Sequence, residues 1–225
     1  MRFDLAKLSL CLPLIASGLA GCNVYQNYGY GKIAASRLGD QATKIELPAQ
    51  APSISQRYMP LWGPQDSKSA GRTVGSEHKG FDLLLRMWTP VLAAADGQVV
   101  ANELSFMFGR RLAVNHDLSD QGFPLQTRYF HLSKALVAPG DRVTRGQLIA
   151  YSGASGLASG GLPHLHFEVH RLADVDDAIA QQVVDPQLFW VDGPGQITCF
   201  DISRNYPNQP VKLTYPAPCR DLAWQ

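Results

Sequence analysis

The stretch Pro163-His164-Leu165-His166-Phe167-Glu168-Val169-His170 constrains this 225-residue chain more than any other. Leu165, Phe167 and Val169 alternate with polar residues, the period of a strand with one apolar and one polar face. In that geometry His164, His166, Glu168 and His170 share a face. Two imidazoles at i and i+2 on a stiff strand can converge on one metal ion without a flexible loop to gather them. Pro163 and the glycines before it set the strand off from a turn. A lone His-x-His more often marks a half-exposed strand than a site, so its meaning depends on ligands supplied elsewhere.

The rest of the chain reads in the same short-strand style. With 20 Gly and 15 Pro, turns recur too often for long helices, and an all-β, mainly antiparallel fold with few short helices is expected. Pro90-Val91-Leu92-Ala93 and Gln98-Val99-Val100-Ala101 flank Asp96-Gly97, which predicts a hairpin. Leu104 to Phe108 and Leu112 to His116 predict a second pair. Thr127 to His131 and Leu148 to Tyr151 predict further strands. Short helices are expected near Lys32 to Leu38 and Asp174 to Val183, and Pro186 to Trp190 is expected to close the domain. The glycine-rich loop from Ser152 to Gly161 has no Lys-Ser/Thr and no following helix to make it a nucleotide site. A formal net charge of +1, with no basic run, supplies no field for nucleic acid.

A second group of ligands stands at His78-Lys79-Gly80-Phe81-Asp82. The interior Gly argues against a helix, and on an extended segment i and i+4 also share a face. Together with His166 this gives two His and one Asp. Zinc accepts these donors, and three protein ligands leave a fourth position for water, the arrangement hydrolysis needs. His131 and His164 are left over. A hydrolase needs a base and donors for an oxyanion, and histidine can serve as either near neutral pH. Tyr129, two before His131, shares its strand face and either lines the site or packs on the sheet. His116 reads as a strand-end residue, His170 as exposed at the far end of its strand, and Glu168 as a solvated glutamate sooner than a partner to a ligand.

The ends of the chain carry separate signals. Arg2 and Lys7 precede the apolar run Leu8 to Ala16, too short for a comfortable membrane span, and Leu19-Ala20-Gly21-Cys22 follows. This resembles a bacterial lipoprotein signal, which implies cleavage after Gly21 and acylation of Cys22, with membrane anchoring through that lipid. Asn23 follows Cys22, so the resemblance implies a cell-envelope lipoprotein, in the outer membrane facing the periplasm if the cell is Gram-negative. Cys11 leaves with the signal. Cys199 and Cys219 then form an even pair in an exported protein, and a disulfide between them is expected. The domain reading is a signal at 1–21, a lipid-anchored tether at 22–55, a catalytic domain at 56–192 and an extension at 193–225.

Taken in order, the motifs resemble peptidase family M23, the zinc metallopeptidases of the lysostaphin/LytM type. They are His78-x-x-x-Asp82; Thr89 to Val100 around Asp96-Gly97; Tyr129-Phe130-His131-Leu132-Ser133; Pro139-Gly140-Asp141-Arg142-Val143; Gly146 to Gly153; and Pro163 to Val169. The resemblance spans roughly residues 70 to 190. It implies a LytM-type β-sandwich, one zinc ion on His78, Asp82 and His166, and a catalytic pair in His131 and His164. It further implies an endopeptidase that hydrolyses the peptide crosslinks of peptidoglycan, with the peptide stems as its binding partner. A non-hydrolytic relative that activates a cell-wall amidase is the alternative, with an amidase or regulatory lipoprotein as partner; a peptidase of protein substrates is a third reading. The long polar stretch from Pro60 to Ser76 and the long loop from Gly153 to Pro163 depart from the family pattern and bear on substrate fit.

Overall fold

The computed structural model describes residues 29–33, 44–58, 78–172 and 182–225. Eleven strands follow in order: β1 (Ile54–Gln56), β2 (Gly80–Leu83), β3 (Pro90–Leu92), β4 (Gly97–Ser105), β5 (Gly109–Leu118), β6 (Pro124–Leu132), β7 (Lys134–Ala135), β8 (Arg142–Val143), β9 (Leu148–Tyr151), β10 (Leu165–Arg171) and β11 (Gln182–Val184). The only helical pieces among the described residues are two short 3-10 turns, Leu157–Ser159 and Pro186–Phe189. The expected all-β, mainly antiparallel class is what the chain adopts.

Among the described residues eight strands form one sheet, seven in the order β1-β2-β10-β6-β5-β4-β8 with β11 paired to β10 off that path, and β3-β9-β7 form a second sheet. Strand β10 sits inside the large sheet. Its one edge pairs with β6, and its other edge is shared by β2 at Leu165 to Glu168 and by β11 at Val169 to Arg171. The period-two pattern decides its orientation. Leu165, Phe167 and Val169 are fully buried, and they join Phe81 and Leu83 of β2 and Leu112, Val114 and Tyr129 of β5 and β6 in one apolar cluster. Val91, Ile149 and Ala150 of the small sheet belong to the same cluster. The opposite face of β10 is left for polar chemistry.

Two glycines make close approaches possible. A Cβ on Gly80 would lie 2.0 Å from the Phe167 carbonyl oxygen, so only glycine lets β2 lie against β10 in this register. Gly109 has φ 67° at the start of β5, and a Cβ there would meet Ser155 at 2.2 Å. That contact brings the β4–β5 hairpin tip onto the loop that precedes β10.

Several expectations are corrected. The segments around Asp96-Gly97 do not form a hairpin: β3 pairs with β9 in the small sheet, whereas β4 pairs with β5 and β8 in the large one. The fully buried Ala93, Ala94 and Ala95 carry the chain between the sheets. There the Ala93 amide donates to Gln147, the Ala94 amide donates to the Tyr129 hydroxyl, and Asp96 accepts from the Arg145 amide. Asp-Gly therefore marks a corner. Val183, expected at a helix end, lies in β11, and residues 174–181 of that expected helix lie outside the described residues. So do residues 34–38 of the other expected helix, whose Ile33 instead bridges Ile54.

The expected tether is in part structural. Ala51, Ser53 and Ile54 are fully buried, and β1 closes the edge of the large sheet. The expected extension is also built in: Leu213 and Tyr215 are fully buried, and the Tyr215 hydroxyl donates to the Pro52 carbonyl at 2.8 Å. Cys199 and Cys219 form the expected disulfide, with Cα atoms 6.0 Å apart. The signal segment, Cys22 and the Pro60 to Ser76 stretch lie outside the described residues.

Candidate active site

The register of β2 on β10 sets Asp82 directly opposite His166. The Asp82 Oδ1 lies 2.7 Å from His166 Nδ1, 3.1 Å from His78 Nε2 and 3.8 Å from His164 Nε2. His78 precedes β2 in the same phase as Asp82, and its ring meets that of His166 at 4.8 Å. One donor atom from each of His78, Asp82 and His166 falls within 4.8 Å of the others. His164 enters just before β10, where its amide donates to the Gly153 carbonyl at 3.1 Å. Its ring lies 4.7 Å from that of His131. All five residues singled out in the sequence line one cavity of about 550 Å³, together with Phe130, Arg128, Glu168 and His170.

His131 reaches this cavity by a route the strand pattern does not show. On β6, Tyr129 is fully buried and packs on Phe167 at 5.4 Å in the core, so period two would send His131 to the core as well. Its φ of 61° breaks the alternation and turns the imidazole to the opposite face. A β-carbon in the left-handed region is strained, and such strain persists only where the surroundings fix it. Here the Ser155 carbonyl accepts from His131 Nδ1 at 3.0 Å. Tyr129 thus does not share the face of His131 and does not line the site. Phe130 takes that place, with its ring 5.3 Å from His166.

Backbone carbonyls fix three of the four imidazoles among the five residues singled out in the sequence. A carbonyl can only accept, so the nitrogen facing it carries the proton. The Arg57 carbonyl holds His78 Nδ1 at 2.7 Å, the Leu162 carbonyl holds His164 Nδ1 at 2.8 Å, and Ser155 holds His131. Each Nε2 is thereby left for the site. His166 is held differently: Nδ1 faces Asp82, and Nε2 lies 3.1 Å from Glu168 Oε1.

Two expectations about this strand are overturned. Glu168 is not a solvated glutamate and His170 is not exposed; they retain 6% and 4% of their surface. Strand β11 pairs beside the far end of β10 with Val183 opposite His170, so that end is not a free edge. Glu168 Oε2 lies 2.6 Å from His170 Nε2, so one carboxylate bridges two imidazoles. The period-two phase of His164, His166, Glu168 and His170 contained this signal, but the strand paired there comes from residues 182–184 and could not be seen in it. His116, expected at a strand end, is buried within β5 and takes no part in the site.

The electrostatics follow from burial set against these partners. Burial alone would raise the Asp82 carboxyl, but hydrogen bonds from His166 and His78 overcome it and hold the group well below the usual carboxylate range. Burial would lower His166, yet its bonds to Asp82 and Glu168 raise it to about 9. Glu168, against its own burial, is held at about 2 by His166 and His170. Burial, followed by the like charge of His164, depresses His131 to about 4. The donor set of two imidazole nitrogens and one carboxylate oxygen suits a zinc-type ion with an open position. A cation there would take the place of the protons that these ligands now share.

Comparison with known proteins agrees with the geometry. The model of peptidase family M23 matches residues 76–186, a stretch that contains all five residues. An uncharacterised metalloprotease of Haemophilus influenzae is 44% identical over 95 residues, covering 41% of this chain and 18% of its own length. The peptidoglycan DD-endopeptidase ShyA of Vibrio cholerae is 40% identical over 92 residues, covering 41% and 20%. The glycyl-glycine endopeptidase ALE-1 of Staphylococcus capitis is 38% identical over 95 residues, covering 42% and 25%. The chain thus spans about a quarter or less of the length of these relatives.

Proposed function

The chain belongs to peptidase family M23 through residues 76–186, and on that premise we propose that it is a zinc-dependent endopeptidase that hydrolyses peptide crosslinks of peptidoglycan. The observation that carries the reading is the convergence of His78, Asp82 and His166 in one cavity with two further imidazoles whose Nε2 atoms are left for the site. His78 Nε2, Asp82 and His166 Nδ1 would hold the ion, and their chemistry fits it. Zinc, when bound, supplies Lewis acidity that polarises the scissile carbonyl and lowers the pKa of water.

The chain's own residues then have distinct tasks. Asp82, ionised and shielded, keeps the cluster anionic. His131 and His164 stand on the cavity side opposite His78, each locked by a backbone carbonyl. A neutral imidazole accepts a proton at Nε2, and a protonated one donates a hydrogen bond there. One of the pair takes the proton of the attacking water, and the other donates to the oxyanion of the tetrahedral intermediate. The non-hydrolytic alternative has less support, because no member of the five-residue set is missing or displaced.

Two relatives are named for cleaving peptidoglycan or glycyl-glycine bonds, which supports cell-wall peptide as the substrate class. The lipoprotein-like signal at 1–21 and Cys22 support a lipid-anchored enzyme of the cell envelope. Cys22→Ala should move the protein from the membrane to the soluble fraction; continued fractionation with lipid would refute the anchor. The activity test is digestion of purified sacculi, with and without a zinc chelator, followed by mass spectrometry of the muropeptides. Chelator-sensitive loss of crosslinked dimers is expected. Dimers that persist under all conditions would refute the endopeptidase reading.

A further inference from the structure

We propose that Glu168, clamped by His170, is a positioning residue that fixes His166 as an Nδ1 metal ligand. The inference rests on the metallopeptidase reading and names how that site is held. His166 differs from His78, His131 and His164 in having, among the described residues, no backbone carbonyl on either ring nitrogen. Its orientation depends on carboxylates alone. Asp82 faces Nδ1 at 2.7 Å, and Glu168 Oε1 faces Nε2 at 3.1 Å. Asp82 is itself in the ligand set, so when an ion is held only Glu168 remains to tell the two ring nitrogens apart.

A carboxylate accepts and does not donate. Glu168 therefore selects the tautomer with the proton on Nε2 and leaves the Nδ1 lone pair directed at His78 and Asp82. Its negative charge also raises the basicity of that lone pair, as partners behind metal-bound histidines do.

The second imidazole accounts for the rigidity of Glu168. A glutamate has three side-chain torsions, and ordering it carries an entropic cost. His170 removes much of that freedom: its Nε2 donates to Glu168 Oε2 at 2.6 Å from a residue that is itself 4% exposed. With Nε2 protonated, His170 Nδ1 is buried and has no hydrogen-bond partner among the described residues. A buried polar atom left unpaired costs on the order of 1–3 kcal/mol. A leucine or phenylalanine would avoid that cost at a buried strand position, so the imidazole is explained by the bond it makes to Glu168. Register supports the same reading. Gly80 lies opposite Glu168 on β2, so no side chain at that paired position competes with the carboxylate for His166 or His170. Arg128 lies opposite on β6 and favours its charge.

The test is zinc affinity, measured by competition with a chromophoric chelator, for the wild-type chain, Glu168→Ala, Glu168→Gln and His170→Leu. Second-layer partners of metal-bound histidines are worth about 10–100-fold in affinity, so a loss in that range is expected for Glu168→Ala. Glu168→Gln keeps an acceptor for His166 Nε2–H and can donate its amide to His170. It should recover most of the loss while also serving as the variant that folds if Glu168→Ala does not. His170→Leu should fall between Glu168→Ala and the wild type. Long-range ¹H–¹⁵N spectra of the zinc-loaded wild type should place the His166 proton on Nε2. Glu168→Ala affinity within threefold of wild type, or a His166 proton on Nδ1, would overturn the inference. A wild-type chain that binds no zinc would instead overturn the metallopeptidase reading, and the two failures are separate.

Discussion

Substituting His116 by Asn tests how the fold holds a neutral imidazole remote from the catalytic cavity. His116 is 5% exposed, and burial, opposed by the bond to Asp96 and assisted by the Arg145 charge, lowers it from 6.5 to about 4. Its Nδ1 donates to the Asp96 carbonyl at 2.7 Å, which leaves Nε2 to accept from the Thr127 hydroxyl at 2.8 Å. Thr127 Oγ1 in turn lies 3.0 Å from the Tyr129 hydroxyl, which accepts from the Ala94 amide at the corner between the sheets. A second proton on the ring would set a donor against this hydroxyl chain. The unfolded chain takes up that proton near pH 6.5 and the folded chain only near pH 4. The stability contributed by neutral His116 is thus complete above about pH 7 and is lost as pH falls through that window. At 1.36 kcal/mol per pH unit the loss is about 3 kcal/mol. Other groups titrate nearby: His131 acts in the same sense, and Asp185, raised by burial to about 6, gains stability as pH falls. The difference between wild type and His116→Asn isolates one residue. Urea unfolding followed by tryptophan fluorescence, in chelator at pH 4 to 7.5, reads it. The variant is expected to be the less stable by about 1–3 kcal/mol at pH 7 through the lost Thr127 bond. The two curves should then converge or cross near pH 4. Parallel curves across the window would refute the reasoning.

Three other perturbations probe the site and its frame. His78→Ala should abolish stoichiometric zinc by elemental analysis, whereas His164→Ala should retain zinc and lose turnover; unchanged metal in the first or wild-type rates in the second would overturn those roles. Replacing Cys199 and Cys219 together by Ala opens a link across 20 positions and should cost about 3 kcal/mol, read as a lower denaturation midpoint. An unchanged midpoint would mean that the buried tail needs no crosslink. Gly80→Ala places a methyl 2.0 Å from the Phe167 carbonyl oxygen and should both destabilise the fold and weaken zinc binding, because the β2–β10 register carries Asp82 to His166. A variant with intact zinc affinity would show that the register tolerates the shift.

Most of the site was legible in the sequence because a strand carries its own periodicity. His164 and His166 at the start of β10 and His78 and Asp82 around β2 follow from period two, and the order of motifs supplied the pairing between them. What was misread depends on positions that periodicity does not encode. Tyr129 and His131 are two apart yet face opposite sides, since a single left-handed residue inverts the phase. Ala93 to Ala95 look like the end of a hairpin strand, but small side chains there let the chain cross between sheets. Glu168 and His170 look solvated because the strands paired beside them, β2 and β6 at Glu168 and β6 and β11 at His170, lie far from them in sequence. Ile54 and Tyr215 look peripheral, yet each is fully buried, because a sheet edge must be covered by whatever part of the chain returns to it.

These misreadings share a cause that bears on the chemistry. The residues that would touch an ion sit on strands whose own pattern orients them, so local sequence suffices to find them. Those that hold them in place are set by how the chain folds back: Arg57 for His78 and Ser155 for His131 across 21 and 24 positions, and Leu162 for His164 and Glu168 for His166 from two positions away. Three of these four supports are main-chain carbonyls, which leave no trace in residue type. Glu168 alone holds a candidate ligand through its side chain, and it alone can be removed by substitution without moving the backbone. That asymmetry makes His166 the ligand whose support can be tested separately from the fold.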